Sequence, residues 1–249
     1  MSQLTAKDLA RIAWRATLLQ ATWNYERHQG LGWAWSLQPA LDRFYPDPAL
    51  RAARLAEHTA YFNTQPTLAS VALGAVAGLE ERRAQGEPLD ADAIARVKGV
   101  LGSALAAVGD RLFWFTLRPF VACLGIVFAL AGSWHGAVVM WVAYNLVHVG
   151  MRWRGVHWGY ERGPAVLGAG LRENLDALVT RLGVMGSALV GVATAMMLVP
   201  GGDPRTVTYQ VLLMAGIVLG LMTTVRSRPT PAQWALGLGL LTVVAAWMR

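Results

Sequence analysis

RLFWFTLRPFVACLGIVFALAGSWHGAVVMWVAYNLVHVGM, residues 111–151, decides the fold. It holds two apolar runs, 112–131 and 135–151, separated only by Gly132, Ser133 and Trp134. A bilayer-crossing helix needs roughly 17–25 mostly apolar residues, and each run supplies enough. Three more runs follow at 182–200, 207–225 and 231–248, with Gly201, Gly202, Asp203, Pro204 and Arg205 parting the third from the fourth. Short turn-rich links of this kind predict helical hairpins. The whole chain agrees, since 55% of its 249 residues are hydrophobic and its mean hydropathy is positive. The fold expected is all-α: a polytopic integral membrane protein with N-terminal amphipathic and re-entrant helices in 1–110 and about five transmembrane helices in 111–249.

Arginine sets the orientation. The 152–181 loop carries Arg152, Arg154, Arg162, Arg172 and Arg181, and the link after the fourth run carries Arg226 and Arg228. Loops rich in Lys and Arg stay in the cytoplasm. Counting back through the runs puts the N-terminal half on the same side, a half that itself holds Lys7, Arg11, Arg15, Arg27, Arg43, Lys98 and other cations. The expected arrangement is therefore multi-pass with a cytoplasmic N-terminus. Trp134, Trp153, Trp158 and Trp234 fall at run ends, where indoles anchor at the interface. This bias also accounts for the net charge of +7, so no nucleic-acid partner is expected. One cysteine, Cys123, allows no intramolecular disulfide and no thiolate metal site. Asn145 and His148 share a helix face but lack further ligands nearby, so no metal is expected either.

The N-terminal half is less conventional. Lys7, Asp8, Arg11 and Arg15 interrupt its start, which excludes the apolar core of a signal peptide, so the segment is retained. Leu4, Leu9, Ile12, Ala13, Ala16 and Leu19 recur at helical spacing. The stripe fits a membrane surface, a partner or the body of the same protein. Thr67 to Leu79, TLASVALGAVAGL, is apolar but too short to span and meets Glu80, Glu81, Arg82 and Arg83. It reads as a re-entrant half-helix over about 65–80, tolerated at membrane depth where protein or water satisfies its backbone. A buried helix of a peripheral domain is the other reading. Ile94 to Val108 is a second such element, ending at Gly109-Asp110.

Chemistry is sought at the polar ends of these elements. Pro66 at a first helical position would leave first-turn amides facing whatever precedes them, and Asn63, Thr64 and Gln65 add neutral donors and acceptors. That set suits a ligand rich in hydroxyls, because amides donate and accept without imposing a charge. The competing reading makes Asn63 or Thr64 an N-cap. Asp110, next to Arg111 and eight residues before Arg118-Pro119, is either a ligand-site acid or the partner of one of those arginines. No GxSxG, HExxH, P-loop or dinucleotide motif occurs, so no catalytic residue and no cofactor are expected.

Several ordered motifs then resemble one family. They run from Trp23-Asn24-Tyr25-Glu26-Arg27 through Leu41-Asp42-Arg43-Phe44-Tyr45-Pro46 to Phe62-Asn63-Thr64-Gln65-Pro66. They continue through Gly74 to Leu79-Glu80-Glu81 and Asp90 to Lys98, then to Gly109-Asp110-Arg111-Leu112-Phe113-Trp114 and Leu117-Arg118-Pro119. The pattern resembles the IID membrane component of the mannose/fructose/sorbose-type phosphotransferase system. The resemblance implies a permease in which IIC and IID together form the sugar path. A phosphorylated IIB protein, fed by IIA or IIAB, phosphorylates the incoming hexose. IID itself carries no phosphorylated residue, so any enzyme activity belongs to the complex. On this resemblance Asn63, Thr64, Gln65 and Asp110 are the substrate-binding candidates, with Glu80, Glu81, Arg118 and Asn24 in supporting or pairing roles. Where relatives read close to G-P-L-A-G-x-G-D-[PS], this chain has Gly102-Ser103-Ala104-Leu105-Ala106-Ala107-Val108-Gly109-Asp110-Arg111. That departure motivates an alternative of another class, a non-transporting membrane scaffold or receptor that keeps the IID fold.

Overall fold

A computed structural model describes residues 3–198, and the chain divides into two compact units at Ala193–Thr194. Most of the expected span 182–200 falls within the described residues. The spans 207–225 and 231–248, the 201–206 link, Trp234, Arg226 and Arg228 lie outside them.

The described residues contain eight α-helices and no strands, only isolated bridges. Helix α1, Ala6–Ala16, starts at a capping box in which Thr5 and Asp8 satisfy each other's amides. Its apolar stripe, Leu9, Ile12, Ala13 and Ala16, is buried against the protein itself, which settles one of the three readings of that stripe. Helices α2, Gly30–Phe44, and α3, Pro48–His58, follow, and Asp47 caps α3 with Pro48 at its first position. Helix α4, Ala69–Ala84, is the centre of the packing. Residues Ala69 to Ala77 are all buried.

Small residues explain how α4 reaches that position. It packs lengthwise on α7, His135–Arg162, and a methyl group built on Gly74 would collide with the backbone of Val156 and Tyr160. From the other side, Gly159 lies against Val71 and Ala75, and Gly155 against Ser70. Backbones this close exclude any side chain at the crossing, as in the small-residue contacts of membrane helices.

Helix α5, Ala91–Gly109, begins at Asp90, whose carboxylate accepts from the Ala93 amide at 2.6 Å. No break follows it. A π-helical stretch, Asp110–Leu117, carries the rod directly into α6, Arg118–Leu130. The separate Ile94–Val108 element expected from sequence is thus part of a 40-residue apolar rod, Ala91–Leu130. Pro119 ends nothing, because proline is tolerated in the first turn of α6. Gly132, at φ 77°, turns the chain into α7, and Gly125 and Gly136 let α6 and α7 lie close, so the expected hairpin is present.

Beyond it the expected 152–181 loop does not exist as such. Helix α7 continues to Arg162, a short 3-10 turn covers Gly163–Leu167, and α8 runs from Ala169 to Leu198. Charge density predicts a loop here, yet Arg152 is buried and donates to the Ala16 carbonyl, and Trp153 and Trp158 lie within the helix. Two helical runs, Ala91–Leu130 and Glu173–Ala193, are long and apolar enough to cross a membrane.

Candidate functional site

The site is built on an extended strap, Tyr61 to Gln65, laid across α5. Phe62, Thr64 and Gln65 are buried, while Tyr61 and Asn63 are exposed. Gln29 fixes the strap by bonding both backbone groups of Thr64, donating to its carbonyl at 2.8 Å and accepting from its amide at 3.0 Å. The Thr64 hydroxyl donates to the Gly102 carbonyl at 2.8 Å. Glycines on α5 receive it: Gly102 lies under the Phe62 ring, and a methyl on Gly109 would come within 2.5 Å of Gln65 Cβ. Thr64 thus lies over the middle of α5 at Gly102, and Gln65 lies at its end against Gly109, the residue before Asp110.

Gln65 has a different task from the one expected. Helix α4 starts at Ala69, so Pro66 lies in the turn before it, and the Gln65 side chain reaches forward to cap that turn. Its Oε1 accepts from the amides of Thr67 at 2.8 Å and Leu68 at 3.0 Å. The free first-turn amides expected from Pro66 are thus satisfied from within. The cap is neither Asn63 nor Thr64 but Gln65, the residue directly before Pro66, whose side chain accepts from the amides two and three residues on. Gln65 Nε2 also points at the Thr67 hydroxyl, 3.4 Å away, which in turn meets His148 Nδ1 at 2.9 Å. Tyr144 stacks on that imidazole with centroids 5.6 Å apart. Asn145, by contrast, is exposed and bonds back to the Trp141 carbonyl.

Asn63 remains. Its side chain is exposed and makes no hydrogen bond among the described residues. Asp110 is half-buried and likewise has no ion pair or hydrogen bond from its carboxylate among them. Neither neighbouring arginine neutralises it: Arg111 pairs with Asp176, and Arg118 lies 3.9 Å over the Trp114 ring.

The supporting residues fall into two places. Asn24 makes an Asx turn, its Oδ1 accepting from the amides of Glu26 at 3.1 Å and Arg27 at 2.8 Å. Glu80, fully buried, accepts from the Tyr45 hydroxyl at 2.6 Å and from His58 Nε2 at 3.1 Å, with Arg83 at 3.5 Å. Burial alone would raise the Glu80 pKa, but these hydrogen bonds and the His58 and Arg83 charges hold it below the ordinary carboxylate value. The Tyr45 hydroxyl moves the other way, pushed up by burial and by its bond to Glu80. Glu81 accepts from Tyr160, whose oxygen also receives the Leu4 amide at 3.2 Å.

Sequence reasoning missed Trp33 and His58, and it placed Lys98 at the end of a family motif without giving it a role. Lys98 is 5% exposed and caps the end of α3, donating to the carbonyls of His58 at 3.1 Å and Ala60 at 3.2 Å. Its ammonium sits over the rings of Trp33 and Phe62. The signal available was a lone lysine on the apolar face of an Ala/Gly-rich helix.

The sequence pattern described as "PTS system mannose/fructose/sorbose family IID component" matches residues 3–200. The mannose-specific EIID component of Escherichia coli K12 is 35% identical over 89% of this chain and 84% of its own length. The sorbose-specific EIID component of Klebsiella pneumoniae is 33% identical over 96% of both chains. Among solved structures, a cryo-EM structure of the mannose transporter ManYZ with microcin E492 superposes with a TM-score of 0.63 at 29% identity, covering 100% of this chain and 98% of that one. A structure described as a membrane protein gives 0.72 at 28% identity, covering 99% and 98%. The chain belongs to the IID components of the mannose/fructose/sorbose family of the phosphotransferase system, membrane proteins of sugar transport.

Proposed function

We propose that this chain forms the sugar path of a mannose-type permease together with a IIC subunit, and that a phosphorylated IIB protein phosphorylates the hexose as it enters. Phosphorylation adds charge, which bars return through hydrocarbon. The observation that carries this reading is Asn63: a neutral amide held outward, with no hydrogen bond among the described residues, on a strap whose Thr64 is fixed by Gln29 and Gly102. A donor and acceptor left open in this way is matched to sugar hydroxyls. The relatives' names, mannose and sorbose, and the transporter to which the fold is similar, support a hexose substrate and a second membrane subunit. The bacterial relatives support the inner membrane, and the Lys and Arg of the N-terminal half support a cytoplasmic N-terminus. The segment around α4 serves at membrane depth as the half-helix read from its sequence, screened by its protein neighbours.

Asn63→Ala tests the reading. In membranes holding the complex at wild-type abundance, PEP-dependent sugar phosphorylation should show about a threefold to tenfold loss of sugar affinity, the value of one hydrogen bond of roughly 0.5–1.5 kcal/mol. Stability should hold, because nothing in the fold leans on that amide. Normal transport in this variant would remove Asn63 from the path. Gln65→Ala is the less clean test, since it also uncaps α4.

The second reading, a non-transporting scaffold or receptor, draws on one observation. Helix α5 runs unbroken through Ser103 and Ala106, where Ser103 bonds back to the Gly99 carbonyl at 3.1 Å. A wild-type complex without phosphorylation activity on any hexose would favour it.

A further inference from the structure

Burial along the strap alternates: Tyr61 exposed, Phe62 buried, Asn63 exposed, Thr64 buried. Alternate residues of an extended chain share a face, so Tyr61 points to the same outer side as Asn63. Rings gather there. The Tyr61 ring lies 4.9 Å from the His28 imidazole, which lies 5.1 Å from Trp23, and Tyr25 meets Trp23 edge-on at 4.9 Å. Tyr25 is 91% exposed, Tyr61 60% and Trp23 40%, a contiguous aromatic surface beside an unbonded amide.

This surface is held rigidly. Asn24 and His28 exchange backbone hydrogen bonds, Phe62 donates to the Arg27 carbonyl at 3.3 Å, and Gln29 donates to the Phe62 carbonyl at 2.8 Å. His28 takes a φ of 48°, a left-handed conformation that side chains other than glycine's seldom adopt. Strain of this kind persists where the surroundings enforce it, and it concentrates at binding sites. The loop thus spends conformational energy on keeping four rings in one place.

We propose that Trp23, Tyr25, His28 and Tyr61 form a stacking platform for the hexose whose hydroxyls Asn63 addresses. The inference rests on the transport reading above. One face of a pyranose presents C–H bonds with slight positive charge to the negative face of an aromatic ring, and its rim presents hydroxyls to an amide. An anionic occupant fits less well, because the flanking charges, Glu26 and Arg27, already pair at 3.7 Å. The platform is open outward, as a site must be whose second wall comes from the IIC subunit.

The test is equilibrium binding of radiolabelled mannose, fructose and sorbose to the purified complex of this chain with its IIC partner. For whichever sugar binds, Tyr61→Leu and Tyr25→Leu should each weaken binding about threefold to tenfold, the range of an aromatic contact, while Tyr61→Phe retains it. Trp14→Leu, which removes another exposed indole, on α1 and outside the ring cluster, should leave affinity unchanged. Wild-type affinity in both leucine variants would overturn the platform, and Asn63→Ala measured alongside would still report on the transport reading. Loss of IIC from the leucine variants would overturn it too, marking the rings as a protein interface. A wild-type complex that binds none of the three sugars would remove the transport reading and the platform together.

Discussion

Helices α4 and α8 are both rich in Ala, Gly and Val, yet they end in opposite environments. Helix α4 is buried nearly all round, down to its carboxylates Glu80 and Glu81. Of the most apolar stretch in Glu173–Ala193, only 6% is buried, and Val184, Met185, Val190 and Val192 stand exposed. Apolar composition therefore says only that a helix needs shelter, not where it finds it. Length and glycine placement decide: α4 is too short to span and matches its glycine to those of α7, whereas α8 is long enough to cross lipid.

Breaking the α4–α7 crossing should give the largest effect. In Gly159→Leu the new side chain must occupy the place of the Val71 carbonyl, a backbone group that cannot swing aside. The helices must separate, at a cost above the about 1–3 kcal/mol typical of overpacking. The complex should fail to accumulate in membranes. Gly183→Leu on α8 meets nothing within 4 Å among the described residues and should be tolerated, within about 0.5 kcal/mol. If Gly183→Leu also blocks assembly, the open face of α8 belongs to a partner subunit and the contrast between the helices narrows.

The buried charges of α4 give the next effect. Glu80→Leu leaves His58, Tyr45 and Arg83 without their shared acceptor, and stranding one side of a buried pair costs about 3–5 kcal/mol. Thermal melting of the purified complex should register the loss, and an unchanged midpoint would show the network to be dispensable. Acid should reproduce part of it. The folded protein holds the Glu80 carboxyl below its ordinary value of 4.5, so the folded state binds this proton less tightly than the unfolded chain. The stability it contributes is complete above pH 4.5 and is lost as pH falls through the lower folded value. Melting midpoints taken from pH 7 downward should accordingly hold level to about pH 4.5 and then decline, and Glu80→Gln should start lower and fall less steeply.

This division also marks what the sequence made legible. The 112–131/135–151 hairpin was readable because two long apolar runs flank a three-residue link, and the α1 stripe because its period is helical. The fate of that stripe was not, since the same periodicity serves lipid, partner or core. Arg152 misled for a related reason: arginine density predicts a cytoplasmic loop, but a guanidinium can also be buried on a carbonyl, as it is on Ala16. At the site, motif order singled out Asn63, Gln65 and Asp110, but not that Gln65 packs on Gly109 and turns its side chain to cap the turn after Pro66. Gln65 caps because of where Pro66 starts a turn, and one residue of turn register is below what side-chain types reveal. The roles of Lys98, His58 and Tyr45 escaped because these residues meet their partners across separations such as 35 residues between Tyr45 and Glu80.

The smallest effect expected is also the one that bears on activity. Arg111 directly follows Asp110, and sequence alone suggests that it occupies that carboxylate. The structure pairs Arg111 with Asp176 instead, both groups close to half exposed, and leaves Asp110 open. An exposed ion pair contributes about 0–1 kcal/mol, screened further by salt, so Arg111→Ala should shift the melting midpoint little. Because Asp110 is not held by Arg111, removing the arginine should leave PEP-dependent sugar phosphorylation unchanged. A rise in activity would show that Arg111 masks Asp110 in the working complex and that this position restrains transport. Asp176→Asn gives the reciprocal check: it frees Arg111 to turn toward Asp110, and a loss of activity there but not in Arg111→Ala would mean that the Asp176 pair keeps the sugar path clear.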